Sequence, residues 1–266
     1  REIYTELPAL TGRPWLKKAF KIIEGFFINK TDEIFTTGEM DSEYIEKLFD
    51  TKKTFTLRNL PLYRKKFIPV DFIGKYKLSP ASRIMLYQGI IVTGRGIDTY
   101  FKALLKDTSL VLVILGGGEH KDYYEKKADE LKIRERVIFA GKISQNELAN
   151  YTSGAFAGLS VIDNISINNY YALPNKLFEY IMAELPVIVS DLPQMKKVVE
   201  QYKVGAVIKD NDADELIEVL NTWKNEEIYK KLKENCRIAS QELNWEKELE
   251  KNYRLFENDF DYNVKR

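Results

Sequence analysis

Between Arg83 and Ile208, short runs of consecutive apolar residues alternate with stretches in which apolar positions recur at helical spacing. The runs RIMLYQG (Arg83–Gly89), LVLVILGGG (Leu110–Gly118), RVIFAG (Arg136–Gly141), AFAGLSV (Ala155–Val161), PVIVS (Pro186–Ser190) and GAVI (Gly205–Ile208) predict strands. Their apolar positions are continuous rather than alternating, the pattern of strands covered on both faces in a parallel sheet between helix layers. The amphipathic stretches Gly96–Lys106, Asp122–Lys132, Ser144–Thr152, Pro174–Glu184, Gln194–Gln201 and Ala213–Lys224 predict helices. Ser144 followed three residues later by Glu147 reads as a capping box. Strand and helix in alternation imply right-handed crossovers. The fold class is therefore α/β, a doubly wound parallel sheet, over residues 71–245.

Residues 1–70 follow another pattern. Trp15–Asn29 is an aromatic, amphipathic helix with Lys17, Lys18 and Lys21 on it. Glu33–Gly38 predicts a strand, Glu39–Phe49 a helix and Phe55–Asn59 a strand. So few elements do not bury a sheet of their own. They read as the end of a partial second α/β domain and its linker, and the opening Arg1-Glu2-Ile3, without Met, carries the expectation that sequence lies upstream. Residues 246–266 belong to a last helix, predicted over Trp245–Phe260. There Trp245, Leu249, Tyr253 and Phe256 form a packing stripe aimed toward the N-terminal part.

Composition narrows the chemistry. With 266 residues, 44% apolar and 30% charged, and a net charge of +1, the chain has no global field that would draw nucleic acid. One cysteine, Cys236, excludes an internal disulfide and fits a reducing compartment, so cytoplasmic placement is expected. Cys236 itself reads as helix packing. A single histidine, His120, read as idle, leaves the usual zinc sites without ligands. The basic aromatic stretch Trp15–Lys30 reads as a buried helix of the first domain, and peripheral contact with the inner membrane face stays open as the second reading.

The chemistry concentrates in YYALPNKLFEYIMAELPVIVSD, Tyr170–Asp191. Pro174 suits the first helical position because its missing N–H would be unpaired there anyway. The N–H groups that follow form an anion site helped by the helix dipole, and Asn175 and Lys176 add a side-chain donor and a cation. Glu179 lies three residues after Lys176 on the same helix face. From Pro174 to Glu179 the helix rises roughly 7–8 Å, about the span from a diphosphate to a nucleotide's ribose. A carboxylate only accepts, so it can take both vicinal ribose hydroxyls.

This segment resembles the donor-binding segment of glycosyltransferase family four, retaining GT-B enzymes that use nucleotide sugars. LYQGIIVTGRGIDTYFKAL, LVLVILGGGE and RVIFAGKISQNELANYTSGAFAGLSV fall in the family's order, and REIYTELPA and DEIFTTGEMDSEYIEKLF resemble the end of its N-terminal domain. The resemblance implies that Glu179 binds donor ribose, that Asn175 and Lys176 lie near the diphosphate, and that Arg95 stands for a loop lysine contacting the phosphates. It places Gly117, within the Gly116–Gly118 turn, and Glu119 beside the donor. It brings Ile143 and Ser144 to the base through their backbone. The implied partners are a nucleotide-sugar donor and a glycan or lipid-linked acceptor, with no metal or other cofactor.

Three positions depart from the family's pattern. Tyr171 occupies the place of the first of two paired glutamates, so no catalytic residue is assigned, and Ile90 occupies that of a loop arginine. Glu184 stands where a helix-ending glycine is usual; a left-handed backbone there would carry strain on the order of 1 kcal/mol. The resemblance implies sugar transfer with retention of configuration. The alternative is a nucleotide-binding module without catalysis, either because much of the first domain is missing or because Tyr171 replaces the glutamate. An NAD-dependent oxidoreductase is disfavoured, because GGGE is not the G-x-G-x-x-G turn.

Overall fold

Each central strand buries side chains on both faces, and this determines the architecture. In the computed structural model, which describes residues 12–28, 30–209 and 211–253, six parallel strands form one sheet. They are β3 (Arg83–Gln88), β4 (Leu110–Leu115), β5 (Val137–Gly141), β6 (Ala157–Ser160), β7 (Val187–Ser190) and β8 (Gly205–Ile208). On β3, Ile84 and Leu86 enter one core while Met85 and Tyr87 enter the other. Val111 and Val113 of β4 share the first core, and Leu110 and Leu112 the second. Helices α3 (Phe72–Tyr76), α6 (Gln145–Ser153), α8 (Asn175–Met182), α9 (Pro193–Tyr202) and α11 (Glu226–Ser240) cover the first face. The second is covered by α4 (Ile97–Lys106), α5 (Lys121–Glu130) and α10 (Ala213–Thr222).

Strand order is β5-β4-β3-β6-β7-β8. The chain winds outward from β3 to β5, then returns to the far side of β3 and winds the other way. The reversal lies between β3 and β6, and the crevice outside the carboxyl ends of those strands is where doubly wound sheets hold ligands.

The N-terminal part is small. Strands β1 (Ile34–Thr36) and β2 (Thr54–Thr56) pair in parallel through helix α2 (Glu39–Phe49), preceded by α1 (Pro14–Ile28). Contrary to the expectation of a buried helix, α1 buries none of its residues, and Trp15, Phe26 and Phe27 are exposed. Two three-residue strands offer too little surface to cover it. Asn29 and the REIYTELPA stretch lie outside the described residues. No helix among the described residues is long and apolar enough to cross a membrane.

Further differences from the sequence reading are local. Two short helices, α3 and α7 (Ile167–Tyr170), were not predicted. β4 ends at Leu115, before the glycines. Ser144 is the N-cap of α6, but its hydroxyl donates to the Glu147 carboxylate at 2.8 Å instead of capping a backbone N–H. The last helix, α12, covers residues 245–253; the rest of its predicted length, with Phe256, lies outside the described residues. Its stripe is not the packing face, since Leu249 and Tyr253 are exposed. Its polar side instead holds the linker: buried Glu248 accepts from Arg58 N at 2.9 Å, and Trp245 N donates to Pro61 O at 2.9 Å.

Candidate functional site

The floor of the crevice is made of two strand ends locked together. Beyond β3 and β4 the backbone ladder continues, from Gly89 N to Leu115 O at 2.9 Å and from Ile91 N to Gly117 O at 3.0 Å. Gly116 sits at φ 142°, so close to the neighbouring loop that an added Cβ would stand 2.0 Å from Gly89 O. Gly116 is thus required for close backbone approach.

Helix α8 forms one wall. Leu177, Phe178 and Ile181 anchor it in the first core. The Tyr180 hydroxyl accepts from Gln88 N at 3.0 Å and lies 3.2 Å from Leu86 O. Pro174 is the N-cap rather than the first helical residue, because its ψ of 143° is extended. The helix starts at Asn175; Leu177 N donates to Pro174 O at 3.1 Å, and the N–H groups of Asn175 and Lys176 lie ahead of the first intrahelical bonds. One turn inside, the Glu179 carboxylate accepts a hydrogen bond from Gln88 Nε2. Thr152 Oγ1, which lies 2.8 Å from Leu148 O, is 3.0 Å from Gln88 Oε1, and because a carboxylate only accepts, the amide turns its NH₂ toward Glu179. Burial raises the Glu179 pKa, while Gln88 and Lys176 oppose the rise.

Lys176 and Arg95 supply the positive charge. The Lys176 amine lies 3.9 Å from the Tyr87 ring centroid, a cation–π contact. Burial pushes its pKa down to about 7, the Arg95 charge adds to that, and Glu179 opposes it. Arg95, half-buried on the loop before α4, has no ion pair among the described residues.

These groups surround one cleft of about 610 Å³. Arg95, Gly117, Asn175, Lys176 and Glu179 all line it. Ile143 and Leu148 give it an apolar side, beside Lys142. Two expected residues lie outside the lining. Glu119 turns outward, 77% exposed, with its carboxylate 3.6 Å from His120 Nδ1. Ser144, with its hydroxyl on Glu147, is not part of the lining, whereas its neighbour Ile143 is. Ile90, where the family's loop arginine was expected, is 68% exposed on the rim.

Tyr171 lines the cleft as wall. Its carbonyl accepts from Gln194 Nε2, and its ring lies 5.8 Å from that of Tyr44 on α2. From the N-terminal part, Thr37 and Asp41 face the same cavity. The sequence reading missed Gln88 and Asp41. Gln88 had a signal, as an uncharged polar residue closing an apolar strand; Asp41 had none. A separate hollow of about 690 Å³ lies between the linker and α11, near Arg64 and Arg237, away from these groups.

No curated protein matches the chain. Among solved structures, it superposes on sucrose-phosphate synthase from Thermosynechococcus elongatus with a TM-score of 0.78 at 22% identity, covering 92% of this chain and 62% of the synthase. It also superposes on Anabaena HepE in complex with UDP-glucose (TM-score 0.71, 13% identity, 86% of this chain and 64% of that one). A third is the pneumococcal O-GlcNAc transferase GtfA in complex with UDP and GlcNAc (TM-score 0.69, 14% identity, 89% and 47%). These likenesses are of fold, and the chain spans less than two thirds of each protein's length. The model of the group 1 glycosyl transferases matches residues 71–242, from just before α3 to just past α11, which takes in the whole six-stranded sheet together with Arg95, Gly117, Asn175, Lys176 and Glu179. The chain belongs to the group 1 glycosyl transferases.

Proposed function

We propose that the cleft binds a nucleotide-diphosphate sugar, and that the chain is the donor side of a glycosyltransferase that moves the sugar to a glycan or lipid-linked acceptor with retention of configuration. One observation carries the reading. A carboxylate oriented by Gln88 stands one turn inside a helix whose N-terminus, with Lys176 and Arg95, faces the same cleft. The diphosphate meets the helix N-terminus and the two cations, the ribose diol meets Glu179, and the base lies along Ile143 and Leu148. As the bond between sugar and diphosphate breaks, charge builds on the leaving oxygen. Arg95 and Lys176 stabilise it without a metal ion, by a few kcal/mol per donor as is usual for preorganised charges. The UDP and UDP-glucose held by two proteins of the same fold agree with this ligand class.

Tyr171 supports a second reading, a nucleotide-binding module without turnover. A carboxylate expected beside the transferred sugar is replaced by a phenol ring packed on Tyr44. Polysaccharide assembly at the cytoplasmic membrane face follows from the first reading, with the exposed apolar side of α1 as the contact.

A thermal-shift screen against UDP, GDP, ADP and their sugars tests the ligand class. Stabilisation by one base's diphosphate, weakened by about 1.5–3 kcal/mol in Glu179→Ala, is expected for charge-assisted ribose contacts. A protein indifferent to every nucleotide overturns both readings. Sugar transfer to an acceptor by this chain, measured with the nucleotide sugar that binds, decides between them.

A further inference from the structure

The cleft wall opposite α8 is built by the start of α2, and Gln194 sets its position. Gln194, in the first turn of α9, is 6% exposed. Its Oε1 accepts from Met40 N at 3.2 Å, and its Nε2 donates to the Tyr171 carbonyl and lies 3.5 Å from Asp41 Oδ2. Gly38 makes the fit possible, since an added Cβ would stand 2.5 Å from Gln194 Oε1 and 2.6 Å from Asp41 Oδ2. One turn after Asp41, the Tyr44 ring meets that of Tyr171. The carboxylate of Asp41 is thereby held facing the cavity, tied through Gln194 to Tyr171, the residue that stands where a carboxylate was expected on α8's side.

Asp41 is half-buried, and among the described residues its hydrogen-bond partner is Gln194 at a limiting 3.5 Å. A carboxylate drawn out of water with most of its acceptor sites unused is costly, and native structures rarely keep one without a purpose. Complementing the dipole of α2 does not explain it, because a solvent-facing acid serves that end equally well. Glu39, in the same first turn, does so while pairing with Arg58 at 2.8 Å and with Lys197. Burial pushes the Asp41 carboxyl up to about 6, and the Gln194 hydrogen bond opposes the rise. The rest of this side of the cleft, Thr37, Asn168, Asn169 and Tyr171, is uncharged.

We propose that Asp41 is a sugar-binding residue, accepting hydrogen bonds from hydroxyl groups of the hexose carried on the donor and so supplying from α2 the carboxylate that position 171 lacks. The proposal rests on the nucleotide-sugar reading of the cleft.

Calorimetry of wild type and Asp41→Asn with UDP-glucose, GDP-mannose and ADP-glucose, each beside its parent diphosphate, tests it. The variant should keep the affinity for the parent diphosphate within about twofold and bind the nucleotide sugar about tenfold more weakly, the loss of one charge-assisted hydrogen bond. Affinities that both fall, or that both stay, overturn the proposal while leaving the nucleotide reading intact. Failure of wild type to bind any of the six overturns both. Asp41→Ser repeats the comparison if Asp41→Asn melts early. If both variants lose the fold, Asp41 is a packing residue and the proposal falls.

Discussion

The side-chain amide of Gln88, the last residue of β3, donates to the carboxylate of Glu179, one turn into α8. A carboxylate only accepts, so the amide's NH₂ faces Glu179 while its oxygen lies 3.0 Å from Thr152 Oγ1. Gln88 therefore orients the acid without needing to touch a ligand. Gln88→Ala should weaken binding of the preferred nucleotide by about 1–2 kcal/mol, through a carboxylate left buried and unaimed. The double variant with Glu179→Ala should bind no worse than Glu179→Ala alone, since residues acting through one interaction are not additive. Additive losses in calorimetry would separate the two residues.

Lys176 makes binding depend on pH. Its amine titrates near pH 7 in the empty cleft, facing Arg95, Glu179 and the Tyr87 ring. A bound diphosphate favours the ammonium, so above pH 7 binding must take up a proton. Affinity for a nucleotide sugar, whose diphosphate diester does not titrate in this range, should fall by up to about tenfold per pH unit from pH 7 to 9. Lys176→Arg should flatten the profile, and a flat profile in wild type would remove the proton uptake. The sign for stability is opposite. The folded pKa of about 7 lies below the ordinary 10.5, so the unfolded chain binds more protons between them, and this group's contribution to the stability of the empty protein rises with pH across that window.

The parts of this arrangement readable in the sequence are those carried by a single element. Lys176 and Glu179 share one helix face, and the apolar runs of β3 and β4 announce burial on both sides. Contacts between elements were not readable. Gln88 and Glu179 lie 91 positions apart, and Asp41 reaches the cleft only because Gln194, 153 positions later, holds it. The one-turn helices α3 and α7 are too short to show a period. Ser144 shows the limit of motif reading, since the capping-box residues are present but the hydroxyl bonds the Glu147 side chain.

Glu184 is the residue most open to stabilising substitution. It ends α8 at φ 56°, where Glu184 N donates to Ile181 O at 3.1 Å and Leu185 N to Tyr180 O at 2.9 Å, the pattern of a Schellman cap. A side chain at this left-handed position is strained. Glu184→Gly should add about 0.5–1 kcal/mol, or roughly 1–4 °C in melting temperature for a chain of this size. Glu184→Ala keeps the Cβ and should gain nothing. Equal melting of the two variants would show that the backbone there carries no strain.

Gly116 and Gly117 are adjacent and should respond differently to the same methyl group. At Gly116 the added Cβ meets Gly89 O at 2.0 Å from a backbone at φ 142°, and Gly89 is held in place by its own N–H, bonded to Leu115 O at 2.9 Å. Gly116→Ala should cost about 3 kcal/mol or more in denaturant unfolding, the range of a steric clash combined with a forbidden backbone. At Gly117 the nearest atom is Lys142 Cε at 3.9 Å, an ordinary contact with the end of a flexible side chain. Gly117→Ala should therefore unfold within about 0.5 kcal/mol of wild type. It lines the cleft, so its effect should appear in nucleotide affinity instead. If Gly117→Ala destabilises as much as Gly116→Ala, the glycine run serves the turn alone, and the cleft does not approach the backbone at this point.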